Sequence, residues 1–300
     1  MLSSPMPSET RIAIVTAAAA RVGRRVAVNA ILLATAATPL AAQAVPAGPA
    51  TPVRDTTVIP DNRLFHRSDL YVAGAFAAVT VALLPLDRHF SQELRTEGLL
   101  QNRTVSWFAD QGRWIGGPGM LIIGGSMYAA GRVGGIPKLA EIALHGTEAV
   151  VVGQAFSNVI KNLAGRARPF AAADTNAHDF DFGRGFQSRD FKSFPSGHAT
   201  SAFAGAAAVV AETNEWWPHT TWYVAPVMFG GATMVGLSRM YHEQHWASDI
   251  VMGAAIGTFA GLKTVRFNHT RTGNKVDRIL LGTRVTPTAN GAALGYSLTF

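Results

Sequence analysis

No cysteine occurs in the 300 residues, which removes disulfide staples, thiolate zinc sites and a cysteine nucleophile together. Charge is scarce as well, since Asp, Glu, Lys and Arg make up only 15% of the chain. No Lys/Arg run is interleaved with aromatics, which argues against nucleic acid as a partner. Long apolar runs are few: segments 70–86, 115–131 and 221–237 hold 17 uncharged residues each, the short end for a bilayer span. What is present is 48% hydrophobic residues and a mean hydropathy of +0.16. That is enough for a sizeable core, and it lies between a soluble helical protein and a polytopic membrane protein.

The formal charge is +7. Arg21, Arg24 and Arg25 precede the apolar run 26–40, and Ala42-Gln43-Ala44 supplies a small-x-small cleavage pattern, so residues 1–44 read as a secretory signal peptide. Its removal takes four arginines and Glu9, leaving +4. Residues 45–67 read as a flexible Pro/Thr-rich linker.

From Ser68 onward, apolar periodicity predicts six helices, near 69–86, 117–133, 138–160, 197–212, 219–237 and 246–263. Ser68-Asp69 is the expected first cap, and Pro137 and Pro218 fit first-turn positions. The tail 264–300 changes texture: Asn290-Gly291 is a turn signal, and Leu294, Tyr296, Leu298 and Phe300 alternate with small or polar residues. This predicts a short C-terminal β-hairpin, which either packs on the helices or docks on a membrane or partner.

Three polar clusters interrupt this apolar background. The first, Lys161 through Arg168-Pro169, gathers cations at the end of the third helix. Dipole compensation would explain them; alternatively Lys161 and Arg168, two turns apart, face one anion if the helix continues that far. Arg166 is expected to face solvent. The second, Pro195-Ser196-Gly197-His198, opens the fourth helix, where free N–H groups bind anions and His198 could pass a proton to a leaving oxygen. The third holds Ser238-Arg239, His245 and Asp249. Four residues apart, His245 and Asp249 would share a helical face, the carboxylate fixing the tautomer of the imidazole. A metal site from His242, His245 and Asp249 is the rival, opposed by the three cations nearby; Asp179 and Asp181 beside His178 are a weaker oxygen-ligand pattern.

In order and spacing, K-x6-R-P, P-S-G-H and S-R-x5-H-x3-D match the three-part signature of the type 2 phosphatidic acid phosphatase (PAP2) superfamily, which the chain resembles over about residues 68–263. The resemblance implies an all-α, six-helix PAP2/haloperoxidase-like bundle. It also implies a phosphatase that needs no metal or other cofactor and works through a phosphohistidine. His245 would be the nucleophile, Asp249 its orienting carboxylate and His198 the general acid. Lys161, Arg168 and Arg239, with the Ser196 and Gly197 amides and Ser238, would hold the phosphate. Vanadate-dependent haloperoxidases share this fold and site and are the alternative; a non-enzymatic membrane or docking protein is a third reading.

Membrane members of the family carry six spans with all motifs on the extracytoplasmic side. A cleaved signal followed by six spans would instead put the first motif loop in the cytoplasm. Glu141, His145 and Glu148 interrupt the third helix, and the sixth keeps few uncharged residues after Asp249. The expectation is therefore an exported, periplasmic or membrane-associated bundle with its site facing the periplasm, the alternative being an integral inner-membrane protein. A phosphorylated lipid, a lipid pyrophosphate and a small phosphomonoester all remain as substrates, and the sequence does not determine an oligomeric state. The insertion 170–192 reads either as a lid, with Phe180, Phe182 and Phe186 facing an apolar chain, or as a linker.

Overall fold

The structure is a computed structural model that describes residues 63–172, 176–271, 274–288 and 291–296. The signal expected over 1–44 and most of the linker lie outside those residues. Helix α1 (Arg67–Leu83) opens at His66 rather than at the expected Ser68-Asp69 cap: Asp69 sits at the third helical position and accepts from the His66 N–H at 2.7 Å. Short helices α2 (Asp87–Glu93) and α3 (Glu97–Leu100) follow. Helix α4 (Arg103–Trp114) is capped by the Asn102 side chain, which accepts from Thr104 and Val105 N–H.

A kinked turn, Ile115–Gly119, leads into α5 (Met120–Val133), and Pro137 starts α6 (Pro137–Ala164). Then come α7 (Gly197–Trp216), α8 (Thr221–Tyr241), α9 (Ala247–Thr270) and α10 (Lys275–Leu280). Helical structure dominates, as the periodicity predicts, but six helices is an undercount. Helices α2, α3 and α10 are too short to carry a long apolar stripe, whereas the amphipathic α4 is passed over by that count. Strands β1 (Thr283–Thr288) and β2 (Gly291–Tyr296) pair antiparallel, with Thr283 opposite Tyr296. Asn290 and residues 297–300 lie outside the described set.

Helix α7 is the centre of the bundle, packed on α6, α8 and α9. Its core face is built of alanines with Phe203 and Val210. Gly253, Gly257 and Gly261 form the facing stripe of α9. A Cβ on Gly257 would lie 2.4 Å from the Thr200 carbonyl oxygen, and one on Gly261 2.6 Å from that of Ala204. Small residues on both sides let the two backbones approach closely. The start of α9 is thereby pressed against the start of α7, where the Ser196 N–H donates to the Asp249 carbonyl at 2.9 Å.

Glu141, His145 and Glu148 do not shorten α6, which runs for 28 residues. They turn inward toward α7, α9 and α10 instead of meeting the exterior. Much of the exterior is apolar: Tyr71, Trp107, Ile122, Phe156, Val159, Trp222 and Val227 are all exposed. Two described segments, 67–93 and 247–270, are long and apolar enough to cross a membrane, although the second is more than half buried inside the bundle.

Candidate active site

All three clusters converge on one end of the bundle because each sits at a helix terminus. Lys161 occupies the last turn of α6, which ends at Ala164 with Gly165 left-handed at φ +56°. A Cβ on Gly165 would lie 1.9 Å from the Asp181 carbonyl oxygen, so the stop is enforced by the loop packed on it. Lys161 and Arg168 are therefore not two turns apart on one helix. Arg168 instead reaches the site from a loop stitched to the insertion: Ala167 N–H donates to Asp179 O at 3.0 Å, Arg168 N–H to Asp190 O at 2.9 Å and Ser193 N–H to Arg166 O at 3.0 Å. The described part of the insertion is thus tied down at several points. Phe180 packs edge-on against Phe194 yet stays partly exposed, and Phe182 and Phe186 are more exposed still.

Arg166 corrects the sequence reading most sharply, because it is fully buried rather than solvated. Its guanidinium donates to Asp249 Oδ1 (2.5 Å), Asp87 Oδ2 (2.7 Å), Ser248 Oγ (2.7 Å) and the Ala177 carbonyl. Phe180 and Trp246 rings flank it. Asp87, which periodicity leaves as the end of an apolar run, also accepts from Ser248 N–H at 2.9 Å. Burial raises the Asp87 carboxyl, outweighing Arg166 and Ser248. The only sequence signals for this pair are a lone carboxylate after a run of 17 uncharged residues and a third cation inside the first cluster.

His245 lies in the turn before α9, not on it, so it shares no helical face with Asp249. Its Nδ1 is 2.8 Å from the Ser193 carbonyl and 3.7 Å from Asp249 Oδ2. The second distance is too long for a hydrogen bond. A carbonyl only accepts, so Nδ1 carries the proton and the Nε2 lone pair is left free. Asp249 acts one step removed, accepting from Ser193 Oγ (2.5 Å) and Trp246 N–H (2.8 Å). Burial pushes Asp249 upward, yet Arg166 and the His245 contact hold it far below the usual carboxylate range. Burial lowers His245 to about 3, with Lys161 and Arg168 acting in the same direction and Asp249 against them.

His198 occupies the first turn of α7. Burial, then the charges of Arg239, Lys161 and Arg168, lower it to about 3. Burial and Arg168 likewise bring Lys161 down to about 7; its Nζ donates to the Pro195 carbonyl at 2.5 Å and the Lys192 carbonyl at 3.2 Å. Arg239 falls to about 10 through burial, Arg168 and Arg113. Arg168 Nε and Arg239 Nε and Nη1 are buried without a hydrogen-bond partner. Buried, unsatisfied guanidinium N–H groups are costly, and an anion would satisfy them.

Two expected phosphate contacts point elsewhere. The Ser196 N–H is taken by Asp249 O and its Oγ accepts from Ala199 N–H, so Ser196 caps α7. Ser238 Oγ donates to the Val235 carbonyl one turn back at 2.7 Å. The first-turn N–H groups of Gly197 and His198 have no intrahelical acceptor.

Residues 143–273 match the PAP2 superfamily, and all three clusters fall inside the match. Over this segment the chain is similar to that superfamily. Among curated proteins it is similar to a lipid A 1-phosphatase of Porphyromonas gingivalis, 37% identical over 29% of this chain and 19% of that protein. It is also similar to an undecaprenyl-diphosphatase of Sulfolobus acidocaldarius, 27% identical over 29% of this chain and 39% of that protein. The chain thus spans well under half the length of these relatives. A transmembrane PAP2-type phosphatidylglycerolphosphate phosphatase of Bacillus subtilis superposes over 67% of this chain and 94% of its own, with TM-score 0.47 and 19% identity.

Proposed function

We propose that the protein is a PAP2-type phosphatase that hydrolyses phosphate esters through a phosphohistidine at His245. The observation that carries this reading is the locked tautomer of His245, with its free Nε2 among buried cations whose N–H groups lack partners. In the first step Nε2 attacks phosphorus, the N–P bond forms and the P–O bond to the leaving alcohol breaks. His198 gives its proton to that oxygen. Water then attacks the phosphohistidine, His198 takes the proton back, and the N–P bond breaks to release phosphate. Lys161, Arg168 and Arg239, with the Gly197 and His198 amides, compensate the phosphoryl oxygens, so fixed cations do the electrostatic work. Arg166 and Asp249 hold Ser193, and hence the tautomer, in position.

Burial, and then the three cations beside it, hold His198 neutral in the ligand-free site. A phosphate dianion offsets those cations and restores the proton the acid step needs. The substrate class we assign is a phosphorylated lipid. Supporting this are the exposed apolar flank and the names of the two curated relatives. An apolar cavity of about 950 Å³ between α1, α6 and α9, lined by Phe76, Val152, Phe156 and Phe259 among others, also favours it. The protein would rest against a lipid bilayer through that flank, its site facing the periplasm if residues 1–44 direct export. Turnover of phosphatidic acid and undecaprenyl diphosphate in mixed micelles, set against p-nitrophenyl phosphate with EDTA present, tests both parts. No turnover of any of them would overturn the enzyme reading, and turnover of the soluble ester alone would overturn the lipid assignment.

A further inference from the structure

At the other end of the bundle lies a second polar cluster that the phosphoryl chemistry does not use. His145 stands 16 residues before Lys161 on α6, about 24 Å away along the helix axis. One ligand atom each from Glu141, His145, Glu212 and His269 lie within 4.8 Å of one another. They come from three helices, α6, α7 and α9. His145 Nδ1 is 2.5 Å from Glu212 Oε1, and His269 Nε2 is 3.0 Å from Glu212 Oε2 and 3.9 Å from Glu141 Oε1. Glu212 is fully buried on the alanine-rich helix α7, and His145 is 1% exposed.

We propose that these four side chains form a binding site for a first-row divalent cation, zinc being the best fit to a two-imidazole, two-carboxylate set. Three observations support a cation rather than a simple ion-pair network. The first is charge: with Glu148 and Asp277 beside them, four carboxylates face two imidazoles, so two negative charges are left over even with both rings protonated. The second is an outer layer typical of metal centres. Asp277 Oδ2 lies 3.2 Å from His145 Nε2, fixing that ring with Nδ1 toward the other ligands, and Trp216 Nε1–H donates to Glu212 Oε2 at 3.2 Å. The third is Asp277 Oδ1, which is shielded from solvent and has no hydrogen-bond partner. Tetrahedral zinc needs ligand atoms roughly 3.3 Å apart at bond lengths of 2.0–2.1 Å, so the wider separations in the cluster would close by up to about 1.5 Å and the His145–Glu212 pair would open by about 0.8 Å to complete the shell.

Purified full-length protein stripped with chelator and titrated with Co²⁺ tests this directly. The expected result is the visible d–d absorption of a tetrahedral Co²⁺ centre, saturating at one equivalent, displaced by Zn²⁺ and accompanied by a higher thermal midpoint. His269→Ala should weaken Co²⁺ affinity at least tenfold. Glu141→Gln, at the partly exposed rim, should do so in the same direction and decides the matter if His269→Ala does not fold. Absent tetrahedral bands, or bands of equal affinity in a folded variant, would overturn the site. Because the readout is spectral, it is independent of whether the protein turns over phosphate esters.

Discussion

Replacing Arg166 with leucine tests the account of the site at its most buried point. The guanidinium is fully buried between two fully buried carboxylates, Asp87 and Asp249. Removing it leaves both without their cation, and breaking a buried pair in this way costs about 3–5 kcal/mol. Midpoints of domains this size move by about 2–4 °C per kcal/mol. The ligand-free protein should therefore melt roughly 6–20 °C lower. Activity should fall further than stability requires, because Asp249 then no longer holds Ser193 and the His245 tautomer loses its anchor. Arg166→Lys restores one charge but not the fork that reaches Asp87, Asp249, Ser248 and Ala177 together, so it should recover only part of the midpoint. Differential scanning fluorimetry in detergent, paired with turnover at a temperature where both variants are folded, reads the two effects. A leucine variant melting within about 2 °C of wild type and turning over normally would refute the network as the device that sets the site, since the smallest loss argued above is about 6 °C.

Four further outcomes follow from the same geometry. His245→Ala should remove nearly all turnover, whereas Ser238→Ala should cost little because that hydroxyl bonds the Val235 carbonyl; comparable losses in purified variants would contradict these roles. Phosphate or vanadate binding near pH 6 should take up protons, as the anion raises His198 from about 3, and calorimetry in buffers of different ionisation enthalpy measures that uptake. Lys161 is lowered from 10.5 to about 7, so the unfolded chain binds more protons between those values. Ligand-free stability should then rise with pH from about 7 to 10.5, the penalty being fully present below 7; in Lys161→Met this rise should shrink in denaturant titrations at each pH. Gly257→Ala places a Cβ against the Thr200 carbonyl oxygen, and it should destabilise by about 1–3 kcal/mol, read from the same melts.

The long helices were legible because their apolar stripes repeat at helical spacing over many residues, and α6 through α9 bury those stripes on one another. The short helices α2, α3 and α10 have too few turns to show a period, whereas α4 is amphipathic with an Asn102 cap, a local signal that the count of six helices passes over. The three clusters could be read as one site because order and spacing along the chain constrain them jointly, although each is ambiguous alone. Long-range placement was not legible. Arg166 faces solvent only if the helix runs on past Gly165, and there a loop residue 16 positions away forces the chain to turn.

By itself the sequence determined the helical character of the chain, its lack of thiol chemistry and the identity of the polar groups gathered at the candidate site, since these depend on composition and local spacing. Only the tertiary structure decided what each group does. Whether a polar atom is free or occupied depends on partners distant in the chain. Ser193 rather than Asp249 fixes the His245 tautomer, Ser196 and Ser238 are consumed by their own backbone, and Asp87 becomes the counter-ion of Arg166 across 79 residues.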